Sequence, residues 1–245
     1  MDHQDPGTTT VLRLNPSTLS RAFGGQLLLD AAHLRPAFQT QLLPLIGSRF
    51  LDRSLQRANS GSIGIGSALS LFLAAHKCSP KLIAEVGTYI GNSAAAMALG
   101  SGLAGQPVQL ITCDLHPCTQ APLDGLNLPE GSKAQVVQGS STQMFQALAE
   151  KQVKLDMLHL DGRLMKDDLK WLAQLLKDDT LIALDDCEGD EKGHINLDVL
   201  RRAGLLKHHV FVEPFPKELF QAWQLETRST TGFLLPIKLI SYTRQ

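Results

Sequence analysis

The sequence predicts an α/β protein on a doubly wound, seven-stranded sheet, mostly parallel with an antiparallel last strand, behind a helical N-terminal cap. Three observations predict it. From Lys81 onward, short apolar runs alternate with helix-length amphipathic segments, the pattern of a parallel sheet with crossover helices. The run KLIAEVGTYIGNS, Lys81 to Ser93, passes from apolar residues through an acid to two glycines four positions apart. That reads as a strand, a tight turn and a helix start. The tail differs, since His208 to Glu213 and Gly232 to Tyr242 are two β-rich runs with no clear crossover helix in the second.

Taken in order, residues 1 to 15 are expected to be a flexible terminus, 16 to 80 a helical cap and lead-in, and 81 to 245 the sheet domain. Pro16 to Phe23 opens a helix with Asn15 or Ser17 as its N-cap. Pro36 to Arg57 carries Phe38, Leu42, Leu43, Leu45, Ile46, Phe50 and Leu51 near helical spacing, and these helices are expected to cover one edge of the sheet. A Gly/Ser loop, Asn59 to Gly66, leads into a helix from Ser67 to His76. It suits a segment that closes over a ligand, or an ordinary linker. The strands are expected at Leu82 to Val86, Val108 to Asp114, Ala134 to Gln138, Leu155 to Asp161 and Thr180 to Asp185, before the two runs of the tail. Helices are expected near Asn92 to Leu103, Thr142 to Glu150, Lys166 to Leu176 and Asn196 to Ala203.

Composition narrows the functional classes. The 245 residues, 43% hydrophobic and 19% charged, suit one large globular domain. A net charge of -1 without blocks of like charge gives no electrostatic footprint for nucleic acid. The opening MDHQDPGTTT lacks the basic and apolar regions of a signal peptide. The apolar stretch Ile63 to Ala75 is shorter than the roughly 20 residues a membrane span needs. Cys78, Cys113, Cys118 and Cys187 show no C-x-x-C spacing, which gives little support to a disulfide framework or a zinc site. A cytoplasmic protein with a small-molecule ligand, no nucleic-acid or membrane partner and room for a homodimer is the expectation.

The glycine loop is not a dinucleotide fingerprint. G-x-G-x-x-G leaves bare backbone for a pyrophosphate at a helix N-terminus, whereas Glu85 stands where the first of those glycines would be. A carboxylate there repels pyrophosphate and welcomes a cation, and S-adenosyl-L-methionine carries both an ammonium and a sulfonium. A glycine turn between any strand and helix is the plain alternative. The run Glu85, Gly87, Tyr89, Gly91, Ser93, as E-x-G-x-x-x-G-x-S, closely resembles the first motif of class I S-adenosylmethionine-dependent methyltransferases, and the catechol O-methyltransferase branch in particular. The resemblance covers roughly Ser60 to the C-terminus. It implies a Rossmann-like fold with its cofactor seated on these five residues.

In an open parallel sheet, ligands bind at the carboxyl ends of the strands, and the acids fall there repeatedly. Asp114 closes the second strand about 20 residues beyond the glycine loop, which suits a carboxylate taking both ribose hydroxyls; a turn-initiating Asp is its alternative. By resemblance Leu115 packs on the adenine, and Ser140 and Ser141 after the third strand offer polar contacts to its edge. The same serines read as a helix N-cap, and the two roles can coexist. The fourth strand ends in LHLDGR, which looks like the strand-four signature of metal-dependent and macrocin-type O-methyltransferases. There the closing acid, here Asp161, binds metal and faces the cofactor's ammonium, so Asp161 is the leading catalytic candidate. Asp185 and Asp186, after the fifth strand, match that family's paired acidic ligands. Three carboxylates from two adjacent strand ends call for a compensating cation, and hard oxygen ligands select Mg²⁺ or a similar divalent ion. Helix-capping aspartates in water would account for any one of them alone.

One position departs from the resemblance. Catechol-type enzymes carry a basic lysine three residues after the strand-four Asp, and here that position is Leu164. Arg163 is a poor base because it stays protonated; Lys166, His194 and Asp161 itself remain as candidates. His159 reads as a core histidine, and Trp171 as packing. The resemblance thus implies divalent-metal-assisted O-methylation of a small hydroxylated molecule. A metal-independent N- or C-methyltransferase and a non-catalytic cofactor-binding scaffold stay open beside it.

Overall fold

The computed structural model describes residues 15–51, 62–116, 123–189 and 191–240. The terminus before Asn15, residues 52–57 of the helix expected up to Arg57, residues 59–61 of the expected Gly/Ser loop, Cys118, and residues 241–242 of the expected last β-rich run lie outside the described residues. The cap contains α1 (Pro16–Asp30), α2 (Arg35–Ala37) and α3 (Leu43–Leu51), with a π-helical turn, Phe38–Leu42, between the last two. Then follow α4 (Ile65–Cys78), β1 (Leu82–Val86), α5 (Asn92–Leu103), β2 (Gln109–Asp114), β3 (Lys133–Gln138), α6 (Ser141–Glu150) and β4 (Met157–Leu160). The chain continues through α7 (Asp168–Leu175), β5 (Leu181–Leu184), α8 (Lys192–Arg202), β6 (His209–Val212), α9 (Lys217–Phe220), β7 (Gly232–Pro236) and α10 (Ile237–Ile240).

The seven strands lie in the order β3-β2-β1-β4-β5-β7-β6. β1 pairs in parallel with both β2 and β4, while β7 runs antiparallel between β5 and β6. This is the expected sheet. Its strand order reverses between β1 and β4, so the carboxyl ends of those two strands form the crevice where ligands bind in such folds. β4 and β5 are buried along their whole length, as inner parallel strands are. One apolar cluster joins Leu19, Phe23, Leu27, Phe38, Leu42 and Ile46 of the cap to Ile83, Leu110 and Met157 of the sheet. A second, under α6, α7 and α8, includes Phe145, Leu172 and Leu197. The sheet is therefore covered on both faces, and the cap shares one of its cores.

Local boundaries differ from expectation where packing overrides a sequence signal. α1 starts as expected, with Asn15 accepting from the Thr18 amide at 2.7 Å and Pro16 at the first turn. It runs past Phe23 through Gly24, where a Cβ would sit 2.8 Å from Leu219 Cδ1; that glycine marks a close approach, not a stop. The last strand is shorter than expected because Pro236 has no amide hydrogen to donate, and α10 follows it. α8 begins at Lys192, four residues ahead of the expected Asn196. Among the described residues, no helix is long and apolar enough to cross a membrane.

α4 and α5 pack backbone to backbone, since a Cβ on Gly100 would lie 2.1 Å from the Phe72 carbonyl oxygen. A Gly100→Ala substitution must push the two helices apart and is expected to cost about 1–3 kcal/mol despite the better helix former. Thermal denaturation should show a lower Tm, and an unchanged or higher Tm would contradict the contact.

Candidate active site

The loop after β1 rests on a buried carboxylate. Glu85, wholly buried on β1, accepts hydrogen bonds from Ser93 Oγ at 2.5 Å, Thr112 Oγ1 at 2.6 Å and His159 Nδ1 at 3.0 Å. Those partners come from α5, β2 and β4, so one side chain joins the start of the loop's helix to both neighbouring strands. Burial opposes a charge on His159, yet the hydrogen bond and charge of Glu85, with Asp161 and Asp185 beyond, hold its pKa above the usual histidine value. Above this anchor Gly87 and Gly91 adopt φ of 99° and 74°, and Tyr89 adopts 42°. A Cβ on Gly87 would stand 3.1 Å from the backbone carbon of Asp161, so only glycine serves there. The cap also reaches this loop, where buried Arg49 donates from Nη1 to the Gly91 carbonyl at 2.9 Å.

Asp114 ends β2 at the other side of the loop. Its two carboxylate oxygens accept from the amides of Tyr89 at 2.9 Å and His116 at 3.0 Å, so it acts in part as the turn former. Further lone pairs stay available, because a carboxylate has about four acceptor sites. Asp114 borders a cavity of about 340 Å³ whose wall includes Gly87, Leu115, Ser140, Ser141, Asp161 and Met165. Leu115 is 73% exposed and Met165 57% exposed. Two large apolar side chains left open at a cavity mouth offer a clamp for a flat ring.

Ser140 and Ser141 both border the cavity, and Ser140 fills the expected N-cap role. Ser140 caps α6 in a reciprocal box with Gln143. Ser141 and Thr142 donate to the buried Asp168 at 2.7 and 2.5 Å, and the Met165 amide donates to the same carboxylate at 2.8 Å. Asp168 thereby ties the β3–α6 turn to the loop that carries Met165.

The acids at the ends of β4 and β5 converge as expected. Asp161, Asp185 and Asp186 each place a carboxylate oxygen within 4.8 Å of the others. The donor chemistry suits a hard divalent ion, but the geometry does not leave it room. Lys192 Nζ lies 2.6 Å from Asp161 Oδ1 and 2.8 Å from Asp186 Oδ2. Asp185 Oδ1 meanwhile accepts from the hydroxyls of Thr230 at 2.9 Å and Thr231 at 2.8 Å. As arranged, these residues do not fit an added ion. Burial and the neighbouring Asp185 push the Asp161 carboxyl up to about 7, against the pull of Lys192 and His159.

The structure therefore brings Gly87, Asp114, Leu115, Ser140, Ser141 and Asp161 to one cavity. Glu85 and Ser93 are buried beneath the loop and bonded to each other, and Gly91 is the N-cap of α5. The cavity wall does not include Glu85, Tyr89, Gly91 or Ser93. His194 packs edge-on against Phe211 at 5.8 Å. Arg49, Met165, Asp168 and Lys192 escaped the sequence reading, because none of them lies in a motif.

Comparison with known proteins agrees with this geometry. A family model described as a methyltransferase domain matches residues 84–187, from β1 through the end of β5. No curated protein sequence matches the chain. Among solved structures, the cofactor-bound Rv0187 of MTB is similar over 92% of this chain and 99% of that one, with 14% identity and a TM-score of 0.54. A Klebsiella pneumoniae protein provisionally described as an O-methyltransferase covers 87% and 99% at 15% identity and a TM-score of 0.56. The O-methyltransferase TomG of Streptomyces achromogenes, solved with S-adenosylmethionine, covers 78% and 88% at 14% identity and a TM-score of 0.53. At such identities the structural likeness speaks for the fold, and the family match adds the activity class. Residues 84–187 thus match a methyltransferase domain, on a fold that these structures share, in line with the motif from Glu85 to Ser93.

Proposed function

We propose that this domain methylates an oxygen of a small hydroxylated molecule. The observation that carries the reading is Asp161, which borders the cofactor cavity on one side and the acidic cluster on the other. A carboxyl held near 7 is matched to taking a hydroxyl proton at neutral pH. Two of the structural neighbours are described as O-methyltransferases, which supports oxygen over nitrogen or carbon as the acceptor.

When bound, S-adenosylmethionine supplies an electrophilic methyl carbon on its sulfonium. In this reading Asp114 accepts from the ribose hydroxyls, while Leu115 and Met165 clamp the adenine. Gly87 keeps the loop low enough for the cofactor's amino-acid end to pass over bare backbone. Asp161 holds the acceptor hydroxyl and takes its proton as the oxygen gains the methyl group. Proximity and alignment supply most of the acceleration, because the displacement must be in line. Metal assistance, expected from the sequence, has the convergence of Asp161, Asp185 and Asp186 in its favour and the Lys192 ammonium against it. No step here runs through an ion.

The deciding assay is methyl transfer from labelled cofactor to a panel of phenols, hydroxylated sugars and amines. Oxygen acceptors alone should be methylated; methylation of amines alone would overturn the oxygen assignment, and no transfer to any acceptor would favour a scaffold. Asp114→Ala should weaken S-adenosylmethionine binding in calorimetry by about 1.5–3 kcal/mol, the worth of a hydrogen bond to a charged group. The transfer rate should fall as pH drops through about 7, because Asp161 then gains its proton. Asp161→Asn should remove that dependence and lose roughly 10²- to 10⁴-fold in rate.

A further inference from the structure

The start of α8 meets the ends of β4 and β5 around a single ammonium. We propose that Lys192 is a resident cation of the carboxylate cluster, standing where a divalent ion would otherwise bind, so that the site works without a metal. The inference rests on the proposed function only in placing this cluster beside the acceptor.

Three observations separate Lys192 from an ordinary surface lysine. The first is its position between two acids that come from different strand ends, at 2.6 Å from Asp161 and 2.8 Å from Asp186. A surface pair holds one partner in high dielectric and is worth little. Lys192 holds two, one of them Asp161, whose side chain is only 12% exposed.

The second is how firmly its backbone is placed. Gly193 donates from its amide to the Asp186 carbonyl at 3.2 Å, and a Cβ on Gly193 would fall 2.5 Å from the Asp185 carbonyl oxygen. Any larger residue there would lift α8 off the end of β5. One turn later, Asn196 accepts from the Leu164 amide at 3.0 Å and donates to the Gly162 carbonyl at 2.8 Å. The first turn of α8 is thus bonded to the loops after both β4 and β5, and Lys192 enters the cluster from a fixed base.

The third is the electrostatic cost of the location. A cation at a helix N-terminus opposes the helix dipole, and beyond the Glu191 N-cap α8 has no acidic residue in its first turn to offset it. The dipole favours an acid where Lys192 stands, so its partners in the cluster account for it and the helix does not.

The substitution of an ammonium for a divalent ion also bears on the acceptor. A divalent ion can chelate two adjacent oxygens. Lys192 has three N–H donors, two of them directed to Asp161 and Asp186, which leaves one for a single acceptor oxygen. The acceptor therefore needs one hydroxyl at the site and no vicinal diol.

The test is a Mn²⁺ titration of the full chain followed by electron paramagnetic resonance, on the wild type, Lys192→Met and Lys192→Met with Asp185→Asn. S-adenosylhomocysteine binding in the same samples reports the integrity of the fold and the cofactor seat. The wild type is expected to leave Mn²⁺ free up to about 1 mM, the weak end of protein cation sites. Lys192→Met should gain a site at least roughly tenfold tighter, which Asp185→Asn should weaken again. Saturable Mn²⁺ binding by the wild type, as tight as in Lys192→Met, would overturn the proposal. Absence of binding in both would overturn it too, because the ammonium would not then be what excludes the ion. If Lys192→Met does not fold, Lys192→Gln takes its place in the same titration with the same deciding outcomes. Failure of the wild type to bind S-adenosylhomocysteine would count against the cofactor reading and not against Lys192.

Discussion

The site depends on one buried carboxylate. Glu85 carries its charge into the interior of the sheet, where an unpaired carboxylate is prohibitively costly. Two hydroxyls and an imidazole surround it, from Ser93, Thr112 and His159. Each partner sits on a different element, so satisfying Glu85 sets the register of β2 and β4 against β1 and fixes where α5 begins. Thr112 also meets Thr88 of the loop, Oγ1 to Oγ1 at 2.6 Å. The loop is thereby held from below, leaving its upper side to a ligand.

With the loop fixed, the neighbouring parts follow by contact. Gly87 lets the loop pass against the backbone of Asp161, and Gly162 presses on Val86, where a Cβ would lie 2.8 Å from Cγ1. The carboxyl ends of β1 and β4 are consequently one surface, at the point where the strand order reverses. Asp114 braces the loop from β2, and Asp168 braces the opposite wall from α7. The acids of β4 and β5 then face one another at a short distance that water alone does not compensate. Lys192, carried in by the tightly packed start of α8, supplies the opposite charge.

Much of this was legible in the sequence because the legible parts are local. A strand ending in Glu85 and Gly87, Asp114 closing β2, and the acids closing β4 and β5 all sit at positions where strand period and fold class specify the neighbourhood. The face that Glu85 presents was not legible. The sequence reading placed its carboxylate toward a cationic ligand, whereas the structure encloses it with Ser93, Thr112 and His159. Lys192 was hidden for a similar reason. Its run, Lys192 to Ile195, is polar and contains a glycine, so it read as loop, and only contact of Gly193 with Asp185 and Asp186 makes it helix. Arg49 meets the site across a separation that no local pattern encodes.

The central claim is that the loop held by Glu85 is a seat for S-adenosylmethionine. Titration calorimetry with S-adenosylhomocysteine on the wild type and Glu85→Gln, with circular dichroism confirming that both are folded, tests it most directly. The wild type should bind, and Glu85→Gln should bind at least about tenfold more weakly, since an amide cannot accept from all three partners. Equal affinity in the two proteins, or binding of NAD in place of the methyl-donor analogue, would contradict the account.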